Sequence, residues 1–279
     1  MSLCRIVKPG DKIRLSDLDP SQSGGMDKDS ANERVAKLGE EIGELQELMF
    51  ATRDTALLLV FQGPDTAGKD GAINRILSYV NVQSARVVGF KVPTPEELAH
   101  DYLWRVHQHA PGKGGMTVFN RSHYEDVIVV RVHELVPKEV WGKRYDQINE
   151  FEELLAENGT VILKFFLHID RDEQEERLLA REQDPVKSWK LSVGDWKERE
   201  HWDAYFEAYE EVFHRCSPNH APWHIVPANR KWFRDVAIAE ALRDALAPRR
   251  KGWMEKLAKM GEEAKAELAE YRSGLAAPS

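Results

Sequence analysis

LLLVFQGPDTAGKDGAI, Leu57 to Ile73, is the stretch whose reading decides the fold. Ala56 to Gln62 is a continuous apolar run, the pattern of a strand buried on both faces. A glycine-rich turn follows, with Gly63 and Gly68–Lys69 at the spacing of a phosphate-binding loop, and a helix is predicted over about Asp70–Tyr79. Strand, turn and helix in that order are the context such a loop requires. Gly63, Pro64, Asp65, Thr66, Ala67, Gly68, Asp70 and Gly71 are therefore candidate phosphate or nucleotide contacts. Glycines let the backbone turn tightly so that several N–H groups point at one anion. Lys69 adds a full positive charge and the helix N-terminus a partial one.

One position departs from the usual motif. Ser or Thr normally follows the lysine and its hydroxyl holds Mg²⁺, whereas this chain has Asp70. A carboxylate facing phosphates needs a cation between them. Asp65 is the candidate Mg²⁺ ligand or acceptor-orienting group; Asp70 is either a helix-start residue favoured by the dipole or part of the site.

Working outward, a helix is expected at about Asn32–Arg53, where Val35, Leu38, Ile42, Leu45 and Met49 share one face. Further strands are expected at Ala85–Phe90, Met116–Phe119, Thr160–Ile169 and Trp223–Val226, with helices starting at Pro95 and spanning Lys138–Glu157. Strands alternating with helices predict an α/β fold, a parallel sheet covered on both sides. Residues 1–31 read as a polar arm with little to bury, 32–250 as the main domain, and 251–279 as a charged helical tail.

The second informative stretch is MTVFNRSHYEDVIVVRVHE, Met116 to Glu134. Asn120 ends a strand, and Arg121, Ser122 and Glu125 lie at or just beyond its carboxyl end, where open α/β sheets bind ligands, so Asn120 and Glu125 are candidate phosphate or nucleotide contacts. Arg121 suits phosphate oxygens; its alternative is a structural pair with Glu125 or Asp126. Glu125 or Asp126 can supply the acid that many phosphate-loop kinases carry at position 120. The third stretch, Arg171 to Arg215, has no strand pattern and reads as two helices broken near Asp184–Pro185. Arg177 and Arg181 share a helix face with Glu173, and Lys187 and Lys190 follow the break. The segment lies where such kinases carry a mobile lid, so all four cations are expected to face substrate, although basic and acidic residues nearly balance. The histidines form no His-Glu-x-x-His pair and read as surface or core residues; Trp196 and Trp202 read as packing anchors, and Trp189, beside Lys190, as either an anchor or a base-stacking platform.

Composition bounds the rest. The chain has 279 residues, 42% hydrophobic and 31% charged, with a net charge of −8. Mean hydropathy is −0.53. No run is long and apolar enough for a membrane span, and the start lacks a signal-peptide core, so a cytoplasmic protein is expected. The negative charge speaks against nucleic acid as a partner, though a local basic patch can still take a polyanion. Cys4 and Cys216 are read as reduced thiols.

The runs GPDTAGKDG (Gly63–Gly71), FNRSHYEDVIVVRVHE (Phe119–Glu134), INEFEELLAENGTVILKFFLHI (Ile148–Ile169), LLAREQDPVKSWKLS (Leu178–Ser192) and APWHIVPANRKWF (Ala221–Phe233) together resemble the family-2 polyphosphate kinases, over about Glu33–Leu246. The resemblance implies a three-layer, thymidylate-kinase-like phosphate-loop core with a helical lid at about 171–215. It implies Mg²⁺ dependence, with Mn²⁺ as a substitute, and reversible phosphoryl transfer between inorganic polyphosphate and AMP, ADP or ATP. It places the family's functional residues on Asp65, Lys69, Arg121 and Arg181, with basic lid positions at Lys187 and Lys190. Glu125 resembles the subgroup that accepts both AMP and ADP. Homodimers or homotetramers are implied by the same likeness. The alternative is a nucleoside-monophosphate kinase using ATP, against which Asp70 counts.

Overall fold

The computed structural model describes residues 2–186, 189 and 192–276, with side chains described to residue 273. Among these residues six strands form one sheet: β1 (Arg5–Ile6), β2 (Ala56–Gln62), β3 (Ala85–Gly89), β4 (Met116–Asn120), β5 (Thr160–His168) and β6 (Trp223–Pro227). Their spatial order is β1-β6-β5-β2-β4-β3. All neighbours are parallel except β1, which pairs antiparallel with β6. The helices are α1 (Lys28–Thr52), α2 (Lys69–Leu77), α3 (Pro95–Leu98), α4 (Trp104–His107), α5 (Val129–Val132), α6 (Lys138–Glu157), α7 (Arg171–Gln183), α8 (Val193–Glu198), α9 (Trp202–Arg215), α10 (Lys231–Leu246) and α11 (Arg250–Ala276).

The alternation within β2 explains the three layers. Leu57, Leu59 and Phe61 enter a core shared with α1, α2 and α10. Leu58 and Val60 enter the opposite core, shared with α6 and α9. Every residue of β2 is buried, so each large apolar side chain contributes roughly 1.5–3 kcal/mol of burial. This central strand thus holds the following loop on the best-packed part of the molecule.

Two expectations need correction, and one helix had no counterpart among them. The stretch 1–31 is not an arm with little to bury: Val7 and Leu15 are fully buried, β1 joins the sheet, and α1 begins at Lys28. The early start is set by Asp27, whose carboxylate accepts from the Ser30 amide at 2.8 Å as an N-cap. Residues 171–215 are not all lid, because α9 buries Ala208, Tyr209, Val212 and Phe213 in the α6-side core. Finally, α10 was not foreseen. It is buried on most of its circumference, so it lacks the amphipathic period that reveals a helix.

Candidate active site

The register sets Phe61 of β2 opposite Asn120 of β4. The phosphate loop and Arg121 therefore emerge side by side at the carboxyl end of the sheet, and the Arg121 amide donates to the Phe61 carbonyl at 3.0 Å. Arg121 has φ +62°, a left-handed conformation uncommon for a side chain of this size. That turn sends its guanidinium toward the loop, where it pairs with Asp65, while Nη1 donates to Glu125 at 3.2 Å. Burial opposes the charge on Arg121, but Glu125 and Asp65 outweigh it and raise the pKa above the ordinary arginine value.

Lys69 starts α2 and folds back over the loop. Its Nζ donates to the carbonyls of Gly63 at 2.7 Å and Pro64 at 3.1 Å. The ammonium is buried, and that burial, assisted by Arg121, pushes its pKa down to about 8. Asn120 Nδ2 donates to Asp70 Oδ1 at 2.8 Å, tying the end of β4 to the first turn of α2. Arg181 is held by Asp195 at 3.0 Å and lines a cavity with Lys69, Lys91, Asn120 and Arg121. Burial, with Asp65 nearby, raises the Asp195 pKa.

The loop is braced from behind. Arg177 spends all five N–H donors on protein acceptors: Glu173 at 2.6 Å, the carbonyls of Thr66 and Ala67 at 3.0 Å each, and those of Ala228 at 2.7 Å and Asn229 at 2.9 Å. Arg177 is therefore not a substrate-facing lid residue, contrary to expectation. Helical spacing placed it beside Arg181, but its side chain reaches the main chain under the loop. Arg234 of α10 repeats the device, donating to the Gly68 carbonyl at 3.0 Å. Gln174 donates to the Asp65 carbonyl at 3.1 Å. With these carbonyls held by side-chain donors, the loop is fixed in shape around the turn closed by the Ala67 amide, which donates to the Pro64 carbonyl at 3.2 Å.

Asp126 also departs from expectation. Its carboxylate pairs with Arg144 at 3.0 Å and Arg105 at 3.9 Å, and burial raises its pKa. It is a structural acid and lines neither cavity beside the loop. Lys187 and Lys190 lie outside the described residues.

Two cavities meet at the loop. One is the basic cavity just described, about 250 Å³. The other is a narrow slot of about 40 Å³ walled by Ile128, Val129, Trp202, Tyr205, Phe206 and Tyr209, with Glu125 at its edge. Asp65 and Arg121 line both. Sequence reasoning missed Arg234, Gln174, Lys91 and this aromatic wall. Trp202 stacks on Phe206 with ring centroids 4.4 Å apart and is both a packing anchor and a wall of the slot. Only the adjacent Trp-x-x-Tyr-Phe-x-x-Tyr pattern at 202–209 hinted at it.

Among the described residues no group of three or more His, Cys, Asp or Glu side chains is arranged to hold a metal. Asp65 and Glu125 are the two carboxylates that pair with Arg121 at the meeting point, with Asp70 also lining the basic cavity and Glu198 the slot. Two carboxylates fit a hard divalent cation that takes its remaining ligands from phosphates and water.

A parallel sheet, a braced phosphate loop and opposed Lys69 and Arg121 define a phosphate-loop phosphotransferase. The chain belongs to the Polyphosphate kinase 2 (PPK2) family, whose model matches residues 25–252. It is 47% identical over 242 residues to an AMP/ADP-polyphosphate phosphotransferase of Meiothermus ruber, covering 86% of this chain and 91% of that one. An ADP-polyphosphate phosphotransferase of Rhodopseudomonas palustris is 40% identical over 256 residues, covering 86% and 88%. The crystal structure of polyphosphate kinase 2 from Arthrobacter aurescens TC1 superposes with a TM-score of 0.84 at 41% identity, covering 87% of this chain and 88% of that one.

Proposed function

We propose that this protein moves phosphoryl groups between inorganic polyphosphate and AMP or ADP, with Mg²⁺ as its cation. The observation that carries the reading is the junction at Asp65 and Arg121, which line both the basic cavity and the aromatic slot. Polyphosphate would lie in the basic cavity against Lys69, Arg121 and Arg181. The nucleoside would enter the slot, which at about 40 Å³ must widen to take a base, for example by movement of Trp202. The names of the Meiothermus and Rhodopseudomonas relatives support the two substrate classes.

The nucleophile is a phosphate oxygen that is already anionic, so no strong general base is needed. Catalysis then rests on in-line positioning and charge neutralisation. Arg121 is held at the junction by Glu125 and Asp65, and its fork would turn to phosphate oxygens once a cation takes those two carboxylates. Lys69 can swing from its loop carbonyls to a phosphate oxygen while staying in a poorly solvated site. Asp65, with Glu125, would hold Mg²⁺, which supplies charge compensation between phosphates and these carboxylates when bound.

A donor–acceptor matrix tests the reading. AMP and ADP are each offered polyphosphate or ATP, and products are followed by phosphorus NMR. Polyphosphate should phosphorylate both acceptors. Phosphorylation of AMP by ATP with no turnover of polyphosphate would instead favour the nucleoside-monophosphate kinase alternative.

A further inference from the structure

A second basic concavity lies at the opposite end of the sheet. It is a cleft of about 400 Å³ lined by the end of α1, the residues before β3, and the loop 110–115 that leads into β4. Its charged lining residues are Arg53, Arg86 and Lys113, and no carboxylate lines it. On a body with a net charge of −8, three cations around one unopposed hollow form a local positive field.

Two features show that the hollow is built. Arg53 is the C-cap of α1 with φ +50°, a position that glycine or asparagine occupies at less cost. Its side chain lies on Gly114, where an added Cβ would come within 3.2 Å of the Arg53 Cγ. Gly114, at φ +83°, both makes the turn and leaves room for the arginine stem. Arg86 is steered by a 3.4 Å donation to the Gln108 carbonyl, which leaves its other donors for a ligand.

The cleft is joined to the active site by one strand. Arg86 stands at the start of β3, the free edge of the sheet. Lys91, just past the other end of β3, lines the basic cavity with Lys69, Arg121 and Arg181. At about 3.3 Å per residue the two cations are roughly 17 Å apart along an uncovered edge.

We propose that the Arg53–Arg86–Lys113 cleft binds a distal segment of a long inorganic polyphosphate chain whose reacting end lies at the phosphate loop. This rests on the substrate assignment above. The ligand chemistry is a run of phosphate groups. A free phosphate or a nucleotide tail shares that chemistry but cannot span both sites, so chain length separates the sources.

The test is the variant Arg53→Asn, Arg86→Gln, Lys113→Gln, assayed with long-chain polyphosphate and with tripolyphosphate, using ADP as acceptor. The loss of three exposed ion pairs to phosphates predicts a rise of about fivefold in KM for the long chain. KM for tripolyphosphate, KM for ADP and kcat should stay unchanged, and added salt should narrow the long-chain difference between the two proteins. The single exposed substitution Lys113→Glu should shift long-chain KM in the same direction without any threat to folding. KM values that change equally for both donors, or not at all, overturn the cleft. A rise in the ADP KM would assign it to a nucleotide and overturn it equally. Inactivity of the unmodified enzyme with both polyphosphates would overturn the substrate assignment itself.

Discussion

Arg177 Nη1 donates to the main-chain carbonyl of Ala67 at 3.0 Å, joining residues 110 apart in the chain. The same guanidinium holds the carbonyls of Thr66, Ala228 and Asn229, so one side chain ties the phosphate loop to the segment after β6. A loop that must present its amides inward keeps its carbonyls outward, and a buried arginine is a fit partner for several of them. Burial lowers the Arg177 pKa, with Glu173 opposing that effect.

Arg177→Met should leave these carbonyls and Glu173 without their donor. The expected cost is about 2–5 kcal/mol, or roughly 5–15 °C in Tm. kcat/KM should fall as well, because the loop loses its shape. Arg177→Lys keeps the charge with fewer donors and should fall between. Thermal melts and steady-state assays check this; unchanged Tm and turnover in Arg177→Met would remove the brace.

Lys69→Ala should reduce kcat by about two to three orders of magnitude, the scale of removing one charge-stabilising group from a dry site. The pH behaviour is more diagnostic. The native Lys69 pKa is depressed to about 8, below an unfolded value near 10.4. Above pH 8 the native state therefore binds fewer protons than the unfolded state, and this group makes stability rise with pH up to about 10.4. Activity moves the other way: kcat/KM should decline above about pH 8 as the ammonium is lost from the free enzyme. Lys69→Arg should abolish that decline, even if its rate is lower. A flat kcat/KM profile from pH 7 to 10 in the unmodified enzyme would contradict the assignment.

Gly68→Ala should disable the loop without unfolding the domain. Gly68 has φ +97°, and an added Cβ would come within 2.3 Å of Arg234 Nη1. Arg234 would have to release the Gly68 carbonyl it holds. Equilibrium titration with tripolyphosphate should show binding weakened by at least about tenfold, against a nearly unchanged circular dichroism spectrum. At Gly71 the nearest atom to such a Cβ is 3.5 Å away, an ordinary contact, so Gly71→Ala should leave stability intact.

Beneath the Arg121–Glu125 turn, Lys164 is fully buried and its Nζ reaches Glu152 at 2.5 Å, the Tyr124 hydroxyl at 2.8 Å and the Cys216 carbonyl at 2.9 Å. Burial pushes the Glu152 pKa up, but Lys164 and His123 outweigh it and lower it overall. Lys164→Met should cost about 3–5 kcal/mol by stranding Glu152, and adding Glu152→Leu should recover part of that. Because the Glu152 pKa is depressed, its stabilisation is present above the unfolded carboxylate value and is lost as pH falls through the native one. Urea unfolding at pH 7 and pH 4 measures both effects; additive costs for the two substitutions would exclude the coupling.

The local signals were sufficient for a large part of this protein. The unbroken apolar run of β2, the glycines on either side of Asp65 and the lysine after them specify strand, loop and helix, because backbone conformation and short-range spacing encode them. The strand preceding Arg121 was legible for the same reason, and so was the placing of Glu173 and Arg177 on one helix face. Direction in three dimensions was not. Arg177 and Arg181 look equivalent on a helical face, yet one is buried under the loop and the other lines the basic cavity, a difference made by Thr66, Ala228 and Asn229 arriving from elsewhere in the chain. Asp126 and Glu125 are neighbours in sequence, and only packing turned Asp126 onto Arg144 and Arg105. Long-range contacts made Arg234 a brace and α9 a wall of the slot, and they also brought the first residues of the chain into the sheet as β1. Such contacts depend on which surfaces meet after folding, and no local pattern of residues carries that information.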